Sequence, residues 1–306
     1  MLPIGHYAGV IDIGGGRALT MHTDGVGTKV LVAQQMGRFD TVGIDCVAMT
    51  VNDLICLGSE PVALLDYIAL EREDDGLVDQ LVKGLIAGAQ MASTPVVGGE
   101  TAVMGDVIKG VDGRGFDLAA MGVGVVGTDR LIDGSRMVPG DSILGVSSSG
   151  LHSNGYTLAR KVLRHRSLRS RIESIGTSLG DALLEPTSIY VKPALEAVNG
   201  CQVNGIAHIT GGSYAKLLRL AGDRDLLFDI SLPPPPPLFK FLMEEGGISE
   251  LEMYKTFNMG IGLCLILPEA DLGRASRAFR KYGFNAFDLG RLKGGRGVKV
   301  NGRKVA

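Results

Sequence analysis

Four carboxylates near the start of the sequence are placed where they could hold a divalent cation. Asp24 opens the glycine-rich stretch DGVGTK, which ends at Lys29. Asp45 and Asp53 are eight residues apart on an apolar helical pattern and therefore share one helix face. Glu100 lies in VGGET, which predicts a turn at the end of a strand. Mg²⁺ takes a few carboxylates and completes its shell with water and phosphate oxygens. Each carboxylate alone could equally be a helix cap or an ion-pair partner, but the set predicts a metal site.

Polar residues in three later stretches could contact a ligand. SSSGLHSNGY (147–156) joins a predicted strand to a predicted helix, where free backbone N–H groups favour anions. His152 and Asn154 would project from that turn, although an ordinary turn capped by Ser153 or Asn154 is the alternative. His208 precedes paired glycines in HITGGS and could instead be a core histidine. Asn258 lies between apolar residues in MYKTFNMGIG.

Composition excludes several classes of protein. The 31 Lys and Arg nearly balance the 33 Asp and Glu, which argues against general nucleic-acid binding. Apolar runs are too short to cross a membrane, and the first residues do not resemble a signal peptide. The four cysteines form no CxxC pair and no zinc spacing with the histidines, so a reduced, cytoplasmic protein is expected. GVGTK lacks the Walker A spacing, and a helix does not follow the glycines at 122, 124 and 127.

Alternating strand and helix patterns must position these residues. In the first half, strands are predicted at 17–23, 61–70, 95–97 and 116–126, and helices at 40–57 and 76–92. The polar, turn-rich stretch 129–141 is the expected junction between two domains, 1–130 and 131–306. Beyond it, strands are predicted at 142–147, 206–209, 226–230, 260–267 and 285–291, and helices at 154–165, 187–198, 213–221 and 269–282. Prolines 233–237 predict an extended segment. The sequence thus predicts an α/β or α+β chain in two halves.

Taken together, eight segments resemble the aminoimidazole ribonucleotide (AIR) synthetase family. They occur in the order typical of the family and extend over nearly the whole chain. The matching runs are HTDGVGTK (22–29), VGIDCVAMTVNDL (42–54), EPVALLDYIA (60–69), VGGETAVM (97–104), SSSGLHSNGY (147–156), EPTSIYVKPAL (185–195), HITGGS (208–213) and EMYKTFNMGIG (252–262). The family usually carries a further N-terminal segment with a lysine linked to the nucleotide site. We therefore expect either a start inside a longer protein or a variant without that lid.

The resemblance implies an ATP- and Mg²⁺-dependent enzyme that cyclises formylglycinamidine ribonucleotide, built as a homodimer whose N-terminal sheets pair. It assigns the metal and the ATP phosphates to Asp24, Asp45, Asp53 and Glu100, with Gly25, Gly27, Lys29, Gly98 and Gly99 also at the nucleotide. It assigns catalysis to Asp45, His152 and Asn154, and contact with the substrate to Ser149, Gly150, His208 and Asn258. The alternatives are a related small-molecule kinase and a catalytically inactive, dimeric nucleotide-binding module.

Overall fold

The computed structural model describes residues 5–306, which form two mixed sheets covered by helices. The first half contains β1 (Gly9–Gly14), β2 (Arg17–Gly25), α1 (Val30–Met36), α2 (Asp40–Ile55), β3 (Glu60–Leu70), α3 (Asp75–Ala92), β4 (Val96–Val103) and β5 (Phe116–Gly127). Its five strands are ordered β1-β2-β5-β3-β4. Only β3 and β4 are parallel, and α3 connects them. The predicted α/β (α+β) class is confirmed.

The second half is built around a seven-stranded sheet. Its elements are β6 (Ser142–Ser147), α4 (Tyr156–Val162), β7 (Arg171–Ile172), β8 (Thr177–Ser178), α5 (Leu179–Leu184), α6 (Val191–Gly200), β9 (Gly205–His208), α7 (Leu218–Ala221), β10 (Leu226–Ile230), α8 (Pro237–Gly246), α9 (Glu250–Thr256), β11 (Ile261–Leu267), α10 (Glu269–Lys281), β12 (Ala286–Gly294), β13 (Gly297–Val300) and β14 (Arg303–Lys304). The sheet order is β14-β13-β10-β12-β6-β11-β9, and β7 and β8 form a separate hairpin.

Helix α2 is the central element, since it packs against the first sheet, against α3 and against the second half. Glycines on α3 allow the two helices to approach closely. A Cβ at Gly84 would meet the backbone of Asp40, and one at Gly88 would meet the side chain of Val47. Nearly every residue of α2 is buried, including its polar ones. The polar residues of α2 must therefore find partners inside the protein, because an unpaired buried polar group is costly.

Several sequence-based expectations need correction. VGGET is not a turn, because it lies inside β4, an edge strand that pairs in parallel with β3. The predicted helices 154–165 and 213–221 are each partly 3₁₀. Strands β1, β7, β8, β13 and β14 and helices α1, α5, α8 and α9 were not predicted, as they are short or follow turn-rich sequence. Between residues 5 and 306, no helix is long and apolar enough to span a bilayer.

Candidate functional site

A fully buried ion pair joins the two halves of the chain. The Lys29 ammonium lies 2.7 Å from Oδ2 of Asp45 and donates to Oδ1 at 2.9 Å. It also donates to the carbonyl oxygen of Glu185 at 2.7 Å. Asp45 Oδ1 accepts two more hydrogen bonds, from Thr187 N at 2.7 Å and Thr187 Oγ1 at 2.6 Å. Burial lowers the pKa of Lys29, and the Asp45 charge opposes that shift. Asp45 therefore positions the segment 185–187.

Two further polar residues of α2, Asn52 and Asp53, also bind the second half of the chain. Asn52 accepts from Tyr190 N at 3.0 Å and donates to the carbonyl oxygen of Ser188 at 2.8 Å. Asp53 Oδ1 lies 2.8 Å from Nδ1 of His208, at the end of β9. Burial alone would raise the pKa of Asp53, but the hydrogen bond and charge of His208 bring it below its usual value. The helix face that carries Asp45 and Asp53 is therefore an interface between the two halves.

A second acidic group lies on the first sheet, on the side that faces α2. Asp24 on β2 is paired in register with Ala120 on β5, Ala120 with Asp66 on β3, and Asp66 with Gly99 on β4. Because these four residues form one row, their side chains point to the same face. A Cβ at Gly99 would overlap the Asp66 carboxylate, so the glycine makes room for it. Burial raises the pKa of Asp66.

The four predicted metal ligands do not converge. Between residues 5 and 306, no three His, Cys, Asp or Glu side chains are grouped to hold a metal ion. Asp45 is neutralised by Lys29, and both oxygens of Asp53 face histidines. Glu100 is in register with Tyr67, one residue beyond Asp66, and therefore points to the opposite face of the sheet from Asp24. Asp24 and Asp66, by contrast, share one face of the sheet, with Ala120 of β5 between them.

The loop 147–156 lies beside this interface and holds His152 in the interior. His152 has a φ of 60° and is completely buried. Its Nε2 accepts weakly from Ser149 N at 3.4 Å and Ser188 N at 3.5 Å. Burial lowers the pKa of His152 well below its usual value, and the nearby charges of His208 and Lys29 lower it further. His152 is therefore neutral and supports the loop from inside.

The remaining predicted residues of the loop region differ in exposure. The buried Asn258 donates to the carbonyl oxygen of Gly150 at 2.9 Å and accepts from Ser148 Oγ at 3.0 Å, so it braces the loop. Asn154 lines a cavity of about 520 Å³ together with Thr28, which follows the DGVG stretch. The Nδ2 atom of Asn154 has no hydrogen-bond partner within the described chain. Of these residues, Asn154 is the one that lines a cavity.

Sequence reasoning missed Asp66, Thr187 and Tyr190. Asp66 carried a readable signal, because a lone carboxylate interrupts the apolar strand VALLDYIAL. Thr187 and Tyr190 carried no such signal. Their partners on α2 lie more than 130 residues earlier in the sequence, and nothing in the local sequence indicates that contact.

The fold and site have known counterparts. The family models "AIR synthase related protein, N-terminal domain" and "AIR synthase related protein, C-terminal domain" match residues 5–126 and 138–303. The chain therefore belongs to the AIR synthase related family, which confirms the resemblance seen in the sequence.

Curated relatives define the group within the family. The phosphoribosylformylglycinamidine cyclo-ligase of Methanosarcina mazei is 48% identical over 277 residues, 89% of this chain and 80% of the relative. The phosphoribosylformylglycinamidine cyclo-ligase of Saccharolobus solfataricus is 46% identical over 296 residues, which cover 97% of this chain and 85% of the relative. The crystal structure of thiamine-monophosphate kinase from Stenotrophomonas maltophilia K279a has the same fold, with a TM-score of 0.73, 19% identity and coverage of 99% and 92%.

Proposed function

We propose that this chain cyclises formylglycinamidine ribonucleotide to aminoimidazole ribonucleotide and consumes ATP, releasing ADP and phosphate. The observation that carries the proposal is the near-complete, close similarity to curated cyclo-ligases. The structure adds two features: Asp24 and Asp66 lie in one row beside the DGVGTK stretch, and a cavity lined by His6, His22 and Arg219 adjoins β1 and β2.

The chemistry asks the protein mainly to position groups and neutralise charge. The formyl oxygen attacks the γ-phosphorus of ATP, and ADP leaves. An amidine nitrogen of the same molecule then attacks the formyl carbon, the carbon–oxygen bond to phosphate breaks, and the nitrogen loses a proton. Phosphorylation supplies the leaving group, and the tethered nucleophile has the high effective concentration of an intramolecular reaction.

We assign the nucleotide side of this reaction to the Asp24–Asp66 row and the adjoining glycine-rich stretch. Asp24 and Asp66 would hold Mg²⁺ there, and the ion would supply positive charge for the ATP phosphates. Gly27 has a φ of 68°, which lets the chain turn where it follows Asp24. Lys29 lies inside the protein and contributes by fixing Asp45 and Glu185. On the substrate side we assign Asn154, which lines the cavity beside Thr28 and whose Nδ2 has no hydrogen-bond partner among the described residues; His152 supports the loop that carries it.

The test is turnover of formylglycinamidine ribonucleotide with ATP and Mg²⁺, with ADP and aminoimidazole measured separately. Equal amounts of both products are expected. ADP together with a stable phosphorylated substrate would replace the proposal with a kinase, and nucleotide binding without either product would indicate an inactive module. Asp66→Asn should raise the Mg²⁺ concentration needed for half-maximal rate, whereas Asp229→Asn, an exposed carboxylate paired with Lys293, should not.

We also propose that the chain is a homodimer joined through the first sheet. The face of that sheet turned away from α2 exposes apolar side chains on neighbouring strands, including Ile11, Leu65, Tyr67 and Met121. A contiguous exposed apolar face of this kind marks an interface. Light scattering should give twice the monomer mass, and Leu65→Lys with Met121→Lys should give monomers. A monomeric parent protein would refute the proposal.

A further inference from the structure

A cavity of about 570 Å³ lies at the edge of the first sheet, beside β1 and β2. It is bounded by the segment 5–11 and by Met21, His22 and Arg219. Its volume lies within the range of sites for small ligands. Arg219 belongs to α7 and the segment 5–11 leads into β1, so both halves of the chain contribute to the cavity.

Two cations are arranged around one aromatic ring beside this cavity. The ring of Tyr7 is almost completely buried, and its hydroxyl donates to the carbonyl oxygen of Lys216 at 3.1 Å. The Arg219 guanidinium lies 5.5 Å from the ring centroid, and the Lys216 ammonium lies 6.0 Å from it. Within residues 5–306, neither cation forms an ion pair with a carboxylate. Their positive charge is therefore available to a ligand.

His6 adds polar groups that lack partners. Neither of its ring nitrogens, both buried, makes a hydrogen bond of standard geometry within the described chain. Buried polar atoms are usually satisfied, so an unsatisfied imidazole on a cavity wall calls for a ligand that can pair with it. Burial lowers the pKa of His6 and the charge of Asp133 opposes that shift, while Oδ1 of Asp133 accepts from the backbone N–H of Ser135 at 2.8 Å. A guanidinium and an imidazole on one cavity wall are suited to the oxygens of a phosphate group.

We propose that this cavity binds the ribose 5-phosphate end of the substrate, with Arg219 and His6 contacting the phosphate and Lys216 adding positive charge. This assignment rests on the proposed function. It places the phosphomonoester in a cavity whose wall includes His22, two residues before Asp24 on β2, so the ATP phosphates assigned to the Asp24–Asp66 row would lie next to it. The reacting formyl group would then lie between the two.

The experiment compares Arg219→Gln with Arg296→Gln, an exposed arginine of the same half of the chain. Arg219→Gln should raise the KM for formylglycinamidine ribonucleotide by about 10- to 100-fold, as expected for a lost charge-assisted contact, while kcat and the KM for ATP change less than about threefold. Arg296→Gln should leave all three unchanged. An unchanged KM for the substrate in Arg219→Gln, with an unchanged unfolding midpoint, would overturn the proposal. An increase confined to the KM for ATP would assign the cavity to the nucleotide and would also overturn it.

A binding measurement separates this proposal from the proposed function. Ribose 5-phosphate, followed by calorimetry, should bind the parent protein and Arg296→Gln but bind Arg219→Gln at least about tenfold more weakly. If the parent protein binds ribose 5-phosphate in this Arg219-dependent way but does not turn over the substrate, the cavity assignment stands and the cyclo-ligase fails. If the parent turns over the substrate and ribose 5-phosphate binds equally to both variants, the cavity assignment fails alone.

Discussion

The buried pair of Lys29 and Asp45 should be far more important for stability than any surface ion pair of the chain. Both side chains are completely inaccessible to solvent. Lys29→Met would remove the ammonium and leave the Asp45 carboxylate buried with only the two hydrogen bonds from Thr187. Removing one partner of a buried pair typically costs about 3–5 kcal/mol, because the remaining charge is uncompensated. We expect a loss of that size in the free energy of unfolding.

The assay is urea unfolding of Lys29→Met and of a matched control, Lys281→Met. Lys281 lies 2.8 Å from Glu196, almost the same separation as in the buried pair, but both side chains are well exposed. Such surface pairs contribute about 0–1 kcal/mol, so the control should unfold close to the parent protein.

A double variant tests the electrostatic reason for this difference. In Lys29→Met with Asp45→Asn, the buried charge is gone and the amide oxygen can still accept from Thr187. The double variant should therefore be more stable than Lys29→Met alone, by roughly 1–3 kcal/mol, since the penalty of an uncompensated charge is removed. If Lys29→Met is no more destabilised than Lys281→Met, or if the two substitutions are simply additive, the ion-pair explanation is refuted.

Three further substitutions test the packing around the interface. His152→Asn, a substitution that tolerates the left-handed backbone, should flatten the dependence of stability on pH. Because the folded pKa of His152 is depressed, the unfolded chain binds more protons below about pH 6.5, and the parent should lose up to about 1.4 kcal/mol of stability per pH unit there from this residue. Urea unfolding between pH 5 and 8 measures both slopes. An equal slope in the variant would contradict this. Gly262→Ala should be destabilised by about 1–3 kcal/mol or fail to fold, because its Cβ would overlap Tyr190 and His152, whereas Gly294→Ala, with open space around it, should be tolerated. Asn52→Ala should cost about 1–3 kcal/mol, because it leaves the buried backbone N–H of Tyr190 unpaired; a change below about 0.5 kcal/mol would argue against this role.

The sequence predicted the main strands and long helices because their apolar periodicity is local information. The apolar spacing of α2 and the apolar run of β3 were enough to predict these two elements without information from the rest of the chain. VGGET was misassigned because two glycines usually mark a turn, whereas here Gly99 accommodates the Asp66 carboxylate on the neighbouring strand. That reason depends on strand pairing, which local sequence does not contain.

The candidate site was predictable as a set of polar residues but not as a set of roles. Asp45, Asp53, His152 and His208 stand out in apolar surroundings, and the structure does bring them close to the interface between the halves. Whether a carboxylate on an apolar helix meets a metal or a lysine depends on which segment crosses it. For Asp45, that partner is Lys29 together with the backbone at 185–187, and no spacing rule relates them.

The polar face of α2 fixes how the first half of the chain packs against the second. Packing of apolar surfaces is non-directional, so two domains joined only that way could slide against each other. Here Asp45, Asn52 and Asp53 each bind a different point of the second half through directional bonds. The last of these bonds ends at His208, ahead of the glycines that lead to Lys216 and Arg219. We infer that α2 sets the distance between the Asp24–Asp66 row and Arg219, and therefore that substitutions at Asn52 should alter kcat more than the KM for either substrate.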